Sequence, residues 1–224
     1  MLLILVTTGR SGSTTLRNLI NGCPKAHIHG ECWGAIIDLL IFYRKMKRTL
    51  HTSPNSPEWE NNFDLMELKD HIHKMIESIW KQDEVFGFKD IRWYNRLDLL
   101  DDLIEIYPDT MIWYHTRDPE SQSKSSWWLS NSKSKDHLIE LNQQIFNQKK
   151  LHPCISTTFD DLFNIDVMQK KLTQLNLTLS TNAYEKVIGE KSQSSVHDKS
   201  PYCPYCLVGN TKECYCNILP RLDF

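Results

Sequence analysis

Short apolar runs alternate with longer helical patterns along most of this chain, which predicts βαβ units and a parallel sheet. The apolar runs predict strands near 2–7, 26–29, 85–89, 111–115 and 154–158. Apolar residues at helical spacing predict helices over about 13–22, 33–47, 65–80, 97–106, 120–129, 134–148 and 165–175. The predicted fold class is α/β, with three layers and a central, mostly parallel sheet flanked by helices. Ligands are expected where strands end and helices begin.

The composition is typical of a globular protein, with 40% hydrophobic and 24% charged residues. The formal charge of −2 gives no overall attraction to nucleic acid, so nucleic acid is not an expected partner and any basic site has to be local. No apolar run is long enough to span a membrane, and Met1–Val6 is too short for a signal-peptide core. A cytoplasmic location is therefore expected, while the oligomeric state stays open. Residues 1–185 are predicted to form the α/β domain, and 186–224 a Cys-rich extension packed on it.

The loop after the first predicted strand has the residues of an anion-binding site, since Gly9–Thr15 reads G-R-S-G-S-T-T. Glycines allow a tight turn in which successive N–H groups point at one anion, and the helix predicted from Ser13 directs its positive end to the same place. Arg10 adds a donor fork suited to phosphate or sulfate oxygens. A Walker A loop has a lysine before its Ser or Thr. This loop has none, which argues against an ordinary magnesium-dependent ATPase or GTPase.

A second candidate for anion binding follows the fourth predicted strand. Arg117 stands at the end of that strand, and Ser125 lies in the next predicted helix. An arginine at this place can bind a phosphate through two hydrogen bonds, and the serine hydroxyl can add a donor. Taken alone, a structural arginine that caps neighbouring carbonyls and an ordinary surface serine would explain the pair better.

The two motifs together resemble those of the sulfotransferases that use 3′-phosphoadenosine 5′-phosphosulfate (PAPS). The loop of that family reads [KR]-S-G-[ST]-[ST] and wraps the 5′-phosphosulfate, and Arg10–Thr14 is similar to it. Its second motif is a strand-end arginine, often in R-[DN]-P, with a later serine, and both bind the 3′-phosphate. Arg117–Pro119 and Ser125 match that motif. Thr158–Leu162 resembles a Y-E-D-L-type turn of the family, so the resemblance spans residues 2–176.

Within this family the chain is more similar to the carbohydrate and trehalose-type bacterial branch than to aryl sulfotransferases. Arg10 stands where cytosolic aryl and steroid enzymes usually have lysine. Gln122–Trp127 resembles the Q-A-x-S-x-W stretch of the trehalose-type enzymes, and Val85–Lys89 resembles their G-x-K strand. The implied acceptor is a hydroxyl of a sugar or glycoconjugate.

The resemblance implies in-line transfer of a sulfuryl group from PAPS to a hydroxyl. No catalytic metal is required if arginine and backbone N–H groups stabilise the leaving group. Arg10 is expected at the leaving group, Glu31 corresponds to the base of the trehalose-type enzymes, and Lys89 is expected near the sulfuryl group or the acceptor. The residues expected to bind PAPS, or the product adenosine 3′,5′-bisphosphate, are Arg10, Ser11, Gly12, Ser13, Thr14, Thr15, Arg117 and Ser125.

Several alternatives stay open for these roles. Glu31 could be a surface carboxylate at a helix start, and Lys89 a plain strand-end lysine. His27 and His29 are rival bases because aryl sulfotransferases use histidine, and His115 is interpreted as a support for the sheet end. For the whole chain, the alternatives are a P-loop nucleotide or small-molecule kinase, and a catalytically inactive nucleotide-binding module.

Four of the seven cysteines cluster near the end of the chain, outside the resemblance. Their spacing is suited to one structural Zn²⁺ with four thiolate ligands. The predicted ligands are Cys203, Cys206, Cys214 and Cys216. Such an ion would fix a C-terminal segment with few apolar residues of its own. Two disulfides, or a C-x-x-C redox pair, are the alternatives.

Overall fold

Five parallel strands form the central sheet in the order β2-β3-β1-β4-β5. They are β1 (Leu2–Thr7), β2 (Ala26–His29), β3 (Val85–Lys89), β4 (Thr110–Thr116) and β5 (Cys154–Thr158). β1 lies in the middle and is buried along its whole length, which is why it reads as a continuous apolar run. The predicted parallel sheet is confirmed, and β4 extends one residue beyond the prediction at each end.

The structure, a computed structural model, describes residues 1–32, 34–52, 64–125, 128 and 134–189. Met1–Gly189 cluster as one unit. The cysteines at 203, 206, 214 and 216 lie outside the described residues, so the zinc site stays a prediction.

Eight α-helices lie in the described ranges. They are α1 (Ser13–Asn21), α2 (Ala35–Thr52), α3 (Leu65–Trp80), α4 (Leu100–Ile106), α5 (Pro119–Ser123), α6 (Ser134–Gln148), α7 (Ile165–Leu172) and α8 (Thr181–Gly189). Short 3₁₀ turns follow β3 and β5 and flank two of the helices, at Ile91–Asn95, Leu97–Leu99, Asp160–Phe163 and Thr173–Leu175. The helices predicted at 97–106 and 165–175 therefore each include one 3₁₀ turn, and α8 was not predicted.

The side chains of β1 alternate between two hydrophobic cores, because successive residues of a strand point to opposite faces of the sheet. Leu2, Ile4 and Val6 belong to the core formed with α2, α3 and α4. Leu3 and Leu5 belong to the core formed with α1 and α7. Helices thus cover both faces, and the predicted three-layer α/β architecture is confirmed.

Gly87 explains how closely β3 approaches β1. A Cβ atom at this position would lie 1.7 Å from the carbonyl oxygen of Leu3. No side chain larger than hydrogen fits this place without moving one of the two strands. The glycine of the predicted V-F-G-F-K strand is therefore a packing requirement of the sheet.

None of the helices in the described part of the chain combines the length and the apolar character that crossing a membrane needs.

Candidate anion-binding and catalytic site

The loop between β1 and α1 turns tightly from the strand into the helix. Arg10 has a φ of 68° and Gly12 a φ of 93°, so two positions of the loop lie in the left-handed region. At Gly12 a side chain would be strained, and its Cβ would lie 2.5 Å from the ring of Phe159. α1 begins at Ser13, and the first turn of a helix leaves its N–H groups without intrahelical partners. These donors and the positive end of α1 face the same loop.

Three successive carbonyls of the loop, those of Gly9, Arg10 and Ser11, accept hydrogen bonds from side chains that come after β4 or lie on it. The carbonyl of Gly9 accepts from Gln122 and Trp128, that of Arg10 from Arg117 at 3.3 Å, and that of Ser11 from His115 at 3.0 Å. The loop is thus held through its acceptors, which leaves its N–H groups for a ligand.

The hydroxyl groups of the loop differ in their exposure. The Ser11 hydroxyl is buried and forms a hydrogen bond with the hydroxyl of Thr7 on β1. Ser13 is buried, Thr15 is half-buried and Thr14 is exposed. Ser11 therefore offers a ligand its backbone N–H, while its side chain joins the loop to the strand below.

Arg117 and Ser125 carry polar atoms that are buried but unpaired. Among the described residues, Nε of Arg117 and Oγ of Ser125 have no hydrogen-bond partner. The guanidinium of Arg117 lies over the ring of Phe159, with its Cζ 4.1 Å from the ring centroid. A buried donor without a partner costs free energy. Arg117 directly follows β4, and Ser125 lies two residues beyond the end of α5. An anion within reach of both side chains would satisfy these donors.

The two predicted motifs meet in the structure. The hydrogen bond from Arg117 to the Arg10 carbonyl links the strand-end arginine directly to the loop. The spatial reason is the strand order, since β4 lies beside β1 and both run in the same direction. The loop after β1 and Arg117 after β4 therefore lie at the same end of the sheet, where the carboxyl ends of the strands are.

Glu31 and Lys89 form an ion pair at the same end of the sheet, beyond the carboxyl ends of β2 and β3. Lys89 ends β3 and is only 8% exposed, whereas Glu31 follows β2 and is half-buried. The second carboxylate oxygen of Glu31 accepts the backbone N–H of Ile91 at 3.0 Å. Asp90 next to Lys89 accepts the N–H of Gly34 at 2.8 Å, so side chains and backbone join the segments that follow β2 and β3.

The two rival histidines lie on β2, an edge strand of the sheet. Their rings pack edge to face with centroids 4.6 Å apart, and Nε2 of His29 lies 3.2 Å from the carbonyl oxygen of Trp80. Burial lowers the pKa of His29, partly offset by that hydrogen bond. His29 thus has a structural partner at the end of α3, whereas Glu31 has a buried cation beside it.

The fold brings further residues to the site that the sequence did not indicate. Arg17 lies one helical turn after Ser13, and its Nη1 would be 2.8 Å from a Cβ at Gly30. Its position on the first turns of α1 was the available signal, because residues four apart share a helix face. Phe159 and Gln122 also contact the motifs. They lie in the Thr158–Leu162 and Gln122–Trp127 stretches that resemble the family, but nothing in the sequence indicates a contact between them and the two motifs.

Within the ranges that the structure describes, no group of three His, Cys, Asp or Glu residues is arranged to hold a metal ion.

The fold is similar to that of two solved sulfotransferase domains. The sulfotransferase domain of the Synechococcus PCC 7002 olefin synthase has a TM-score of 0.52 and 14% identity, over 87% of this chain and 79% of that one. The sulfotransferase domain of the curacin biosynthetic pathway has a TM-score of 0.51 and 14% identity, over 97% and 98% of the two chains. No protein-family model and no curated protein matches this chain. The predicted sulfotransferase fold is confirmed by these two similarities.

Proposed function

We propose that this protein transfers a sulfuryl group from PAPS to a hydroxyl group of a sugar or glycoconjugate. The observation that carries the proposal is that Arg117 and Ser125 each have a buried, unpaired donor, and that Arg117 also contacts the Arg10 carbonyl of the loop. One phosphate at Arg117 and Ser125, and a second at the loop, would satisfy both groups of donors. A nucleotide with phosphates at both its 3′ and its 5′ position has that charge arrangement.

The loop would hold the 5′ end of PAPS, which carries the sulfuryl group that is transferred. Backbone N–H groups of Ser11, Gly12 and Ser13, together with the hydroxyls of Thr14 and Thr15, are the proposed donors to the 5′-phosphate. Arg10 is the proposed contact of the leaving oxygen, where its guanidinium would stabilise the charge that develops on bond breaking. In this proposal, these donors stabilise the charge on the leaving group, and no catalytic metal is invoked.

Glu31 is the proposed general base and Lys89 its partner. The N–H of Ile91 fixes one carboxylate oxygen of Glu31, and the other oxygen, now paired with Lys89, is the one that would accept the proton of the acceptor hydroxyl. Lys89 would turn from that oxygen to the sulfuryl oxygens. The sugar or glycoconjugate class of the acceptor rests on the sequence resemblance to the trehalose-type branch.

Nucleotide binding is the first test. Isothermal titration calorimetry is expected to detect adenosine 3′,5′-bisphosphate binding that ATP does not outcompete. Arg117→Ala and Ser125→Ala are expected to weaken that binding, by about tenfold or more for the arginine, because charged hydrogen bonds are lost. Ser123→Ala is the matched control, since the Ser123 hydroxyl donates to the Glu120 carbonyl of its own helix.

Transfer is the second test, with labelled PAPS and a panel of sugar and glycoconjugate acceptors. Label in an acceptor supports the proposal. ATP binding without bisphosphate binding would replace it with the kinase. Bisphosphate binding without transfer to any acceptor would favour the inactive nucleotide-binding module.

A further inference from the structure

A chain of buried hydrogen bonds runs from the sheet into the anion loop. Nε1 of Trp113 lies 2.9 Å from Oγ1 of Thr157, which lies 2.9 Å from Nδ1 of His115. Nε2 of His115 lies 3.0 Å from the carbonyl oxygen of Ser11. His115 on β4 stands directly opposite Thr157 on β5, and Trp113 lies two residues earlier on the same face of β4. All four residues are buried.

The groups at the two ends of this series of hydrogen bonds determine which atom donates in each bond. An indole N–H can only donate, so the Thr157 oxygen accepts from Trp113. A carbonyl oxygen can only accept, so Nε2 of His115 carries the proton that Ser11 receives. In a neutral imidazole Nδ1 is then an acceptor, and the Thr157 hydroxyl donates to it. In this arrangement, each polar side-chain atom of Trp113, Thr157 and His115 has a hydrogen-bond partner.

His115 is neutral at neutral pH. Its burial lowers the pKa to about 4, against smaller raising effects of the hydrogen bond to Ser11 and of the Asp161 charge. The neutral ring carries one proton on one of its two nitrogens, and the hydrogen bond to the Ser11 carbonyl requires that this nitrogen is Nε2.

The hydrogen bond to Ser11 also orients the next donor of the loop. The peptide between Ser11 and Gly12 is trans, so its C=O and N–H point in opposite directions. The carbonyl is directed at His115, whose side chain lies on the face of the sheet that α1 covers. The Gly12 N–H therefore points away from His115. The positive φ of Gly12 then continues the turn into α1.

We propose that His115, held in its Nε2–H form by Thr157, is a positioning residue that aims the Gly12 N–H at the bound anion. The same relation recurs at Gly9, whose carbonyl accepts from Gln122 and Trp128. Loop donors oriented before binding lose less freedom when the anion arrives, which favours affinity. The identity of that anion as the 5′-phosphate rests on the proposed function, but the orientation of the loop does not.

The first test reads the tautomer without any ligand. Protein labelled with ¹⁵N-histidine is expected to contain one ring that His115→Gln removes, with a proton on Nε2 and a hydrogen-bonded Nδ1. Finding the proton on Nδ1 at neutral pH would overturn the inference. This measurement is independent of whether the protein is a sulfotransferase.

The second test measures binding of adenosine 3′,5′-bisphosphate and, separately, inorganic pyrophosphate. His115→Phe removes the donor to Ser11 and is expected to weaken both by about tenfold. His115→Gln keeps an N–H donor and is expected to recover most of the affinity. The Gly12 amide proton is expected to shift on binding in the wild type and to shift less in the phenylalanine variant.

Thr157 offers a gentler pair of variants if His115→Phe does not fold. Thr157→Val removes the donor to Nδ1 at nearly constant volume and is expected to weaken binding, while Thr157→Ser restores the hydroxyl and the affinity. Ser156→Ala deletes a hydroxyl from the neighbouring position on β5 and is the control.

The outcomes separate this inference from the proposed function. If pyrophosphate binds in a way that depends on His115 and the bisphosphate does not bind, the result would contradict the proposed function and support the inference. Bisphosphate binding that is unchanged in Thr157→Val, with the same Gly12 shift, would sink the inference and leave the function standing.

Discussion

Lys89 and Glu31 form an ion pair across the ends of β3 and β2, although the two positions lie 58 residues apart in the sequence. The pair exists because β2 lies beside β3 and both strands run in the same direction. Lys89 is nearly buried, so removing Glu31 leaves a cation without its partner in a poorly solvated place. The structure therefore couples the two residues to which the proposed mechanism gives separate roles.

Glu31→Gln is expected to slow sulfuryl transfer by about a hundredfold to ten-thousandfold, because an amide cannot accept the proton of the acceptor. Its oxygen can still accept the N–H of Ile91, so bisphosphate affinity is expected to stay near that of the wild type. Single-turnover transfer from labelled PAPS measures the step directly.

Glu84→Gln is the matched control for that variant, since Glu84 pairs with Lys25 at the opposite end of the same two strands, at 2.7 Å and exposed to solvent. An exposed pair of this kind contributes little to stability. If Glu31→Gln transferred at the rate of the control, the base would have to be sought at His29 or His27.

Phe159→Leu is expected to weaken binding of nucleotides that carry a 3′-phosphate. Arg117 stacks on this ring, and a cation–π contact of about 0.5–2 kcal/mol corresponds to an affinity loss of roughly 2- to 30-fold. Adenosine 5′-phosphosulfate, which lacks the 3′-phosphate, is expected to bind the two proteins more equally.

Phe163→Leu is the control for Phe159→Leu. Phe163 packs against Phe159 with ring centroids 5.1 Å apart, but it is exposed and the cation–π pair is formed by Phe159. Equal losses for both nucleotides in Phe159→Leu would indicate a general loss of packing instead of a loss of the arginine's position.

The free energy of unfolding is expected to fall as the pH drops from about 6.5 towards 4. The pKa of His115 is lowered from 6.5 to about 4 by burial, so the folded state favours the neutral ring. The resulting stability is present above pH 6.5 and is lost as the pH falls to the folded pKa, with roughly 3 kcal/mol at stake. Urea unfolding at a series of pH values measures it.

His115→Gln provides the comparison, because the carboxylates of the protein also titrate in this range. The difference in slope between the two proteins isolates the histidine. Parallel curves from pH 7 to 4 would mean that His115 titrates in the folded state as it does in the unfolded chain.

Gly87→Ala is expected to destabilise the protein by about 3 kcal/mol or more, or to prevent folding, because the new methyl group would overlap the Leu3 carbonyl. Gly189→Ala, with no atom within 4 Å of its Cβ position, is expected to fold normally. Thermal unfolding and soluble yield compare the two. A Gly87→Ala protein of wild-type stability would contradict the described spacing of β1 and β3.

The sequence predicted the strands and both anion motifs because these features are local. A buried parallel strand such as β1 is an apolar run, and the loop and Arg117 follow strands that can be read from the chain. The pairing of Lys89 with Glu31 depends on which strands are neighbours, and no local pattern contains that information. The sequence indicates His115 as a support for the sheet end, but its contact with the loop depends on β4 lying beside β1.

The central place of β1 has a consequence for the order in which the molecule forms. β1 is made before the other four strands of the sheet, yet its neighbours β3 and β4 begin at Val85 and Thr110. Contacts between distant parts of a chain form slowly, and the early segments of a growing chain stay unpaired until their partners arrive. The side chains that hold the loop carbonyls lie on β4 or after it. During synthesis, the loop that follows β1 can therefore acquire its shape only after the chain has been made as far as Trp128.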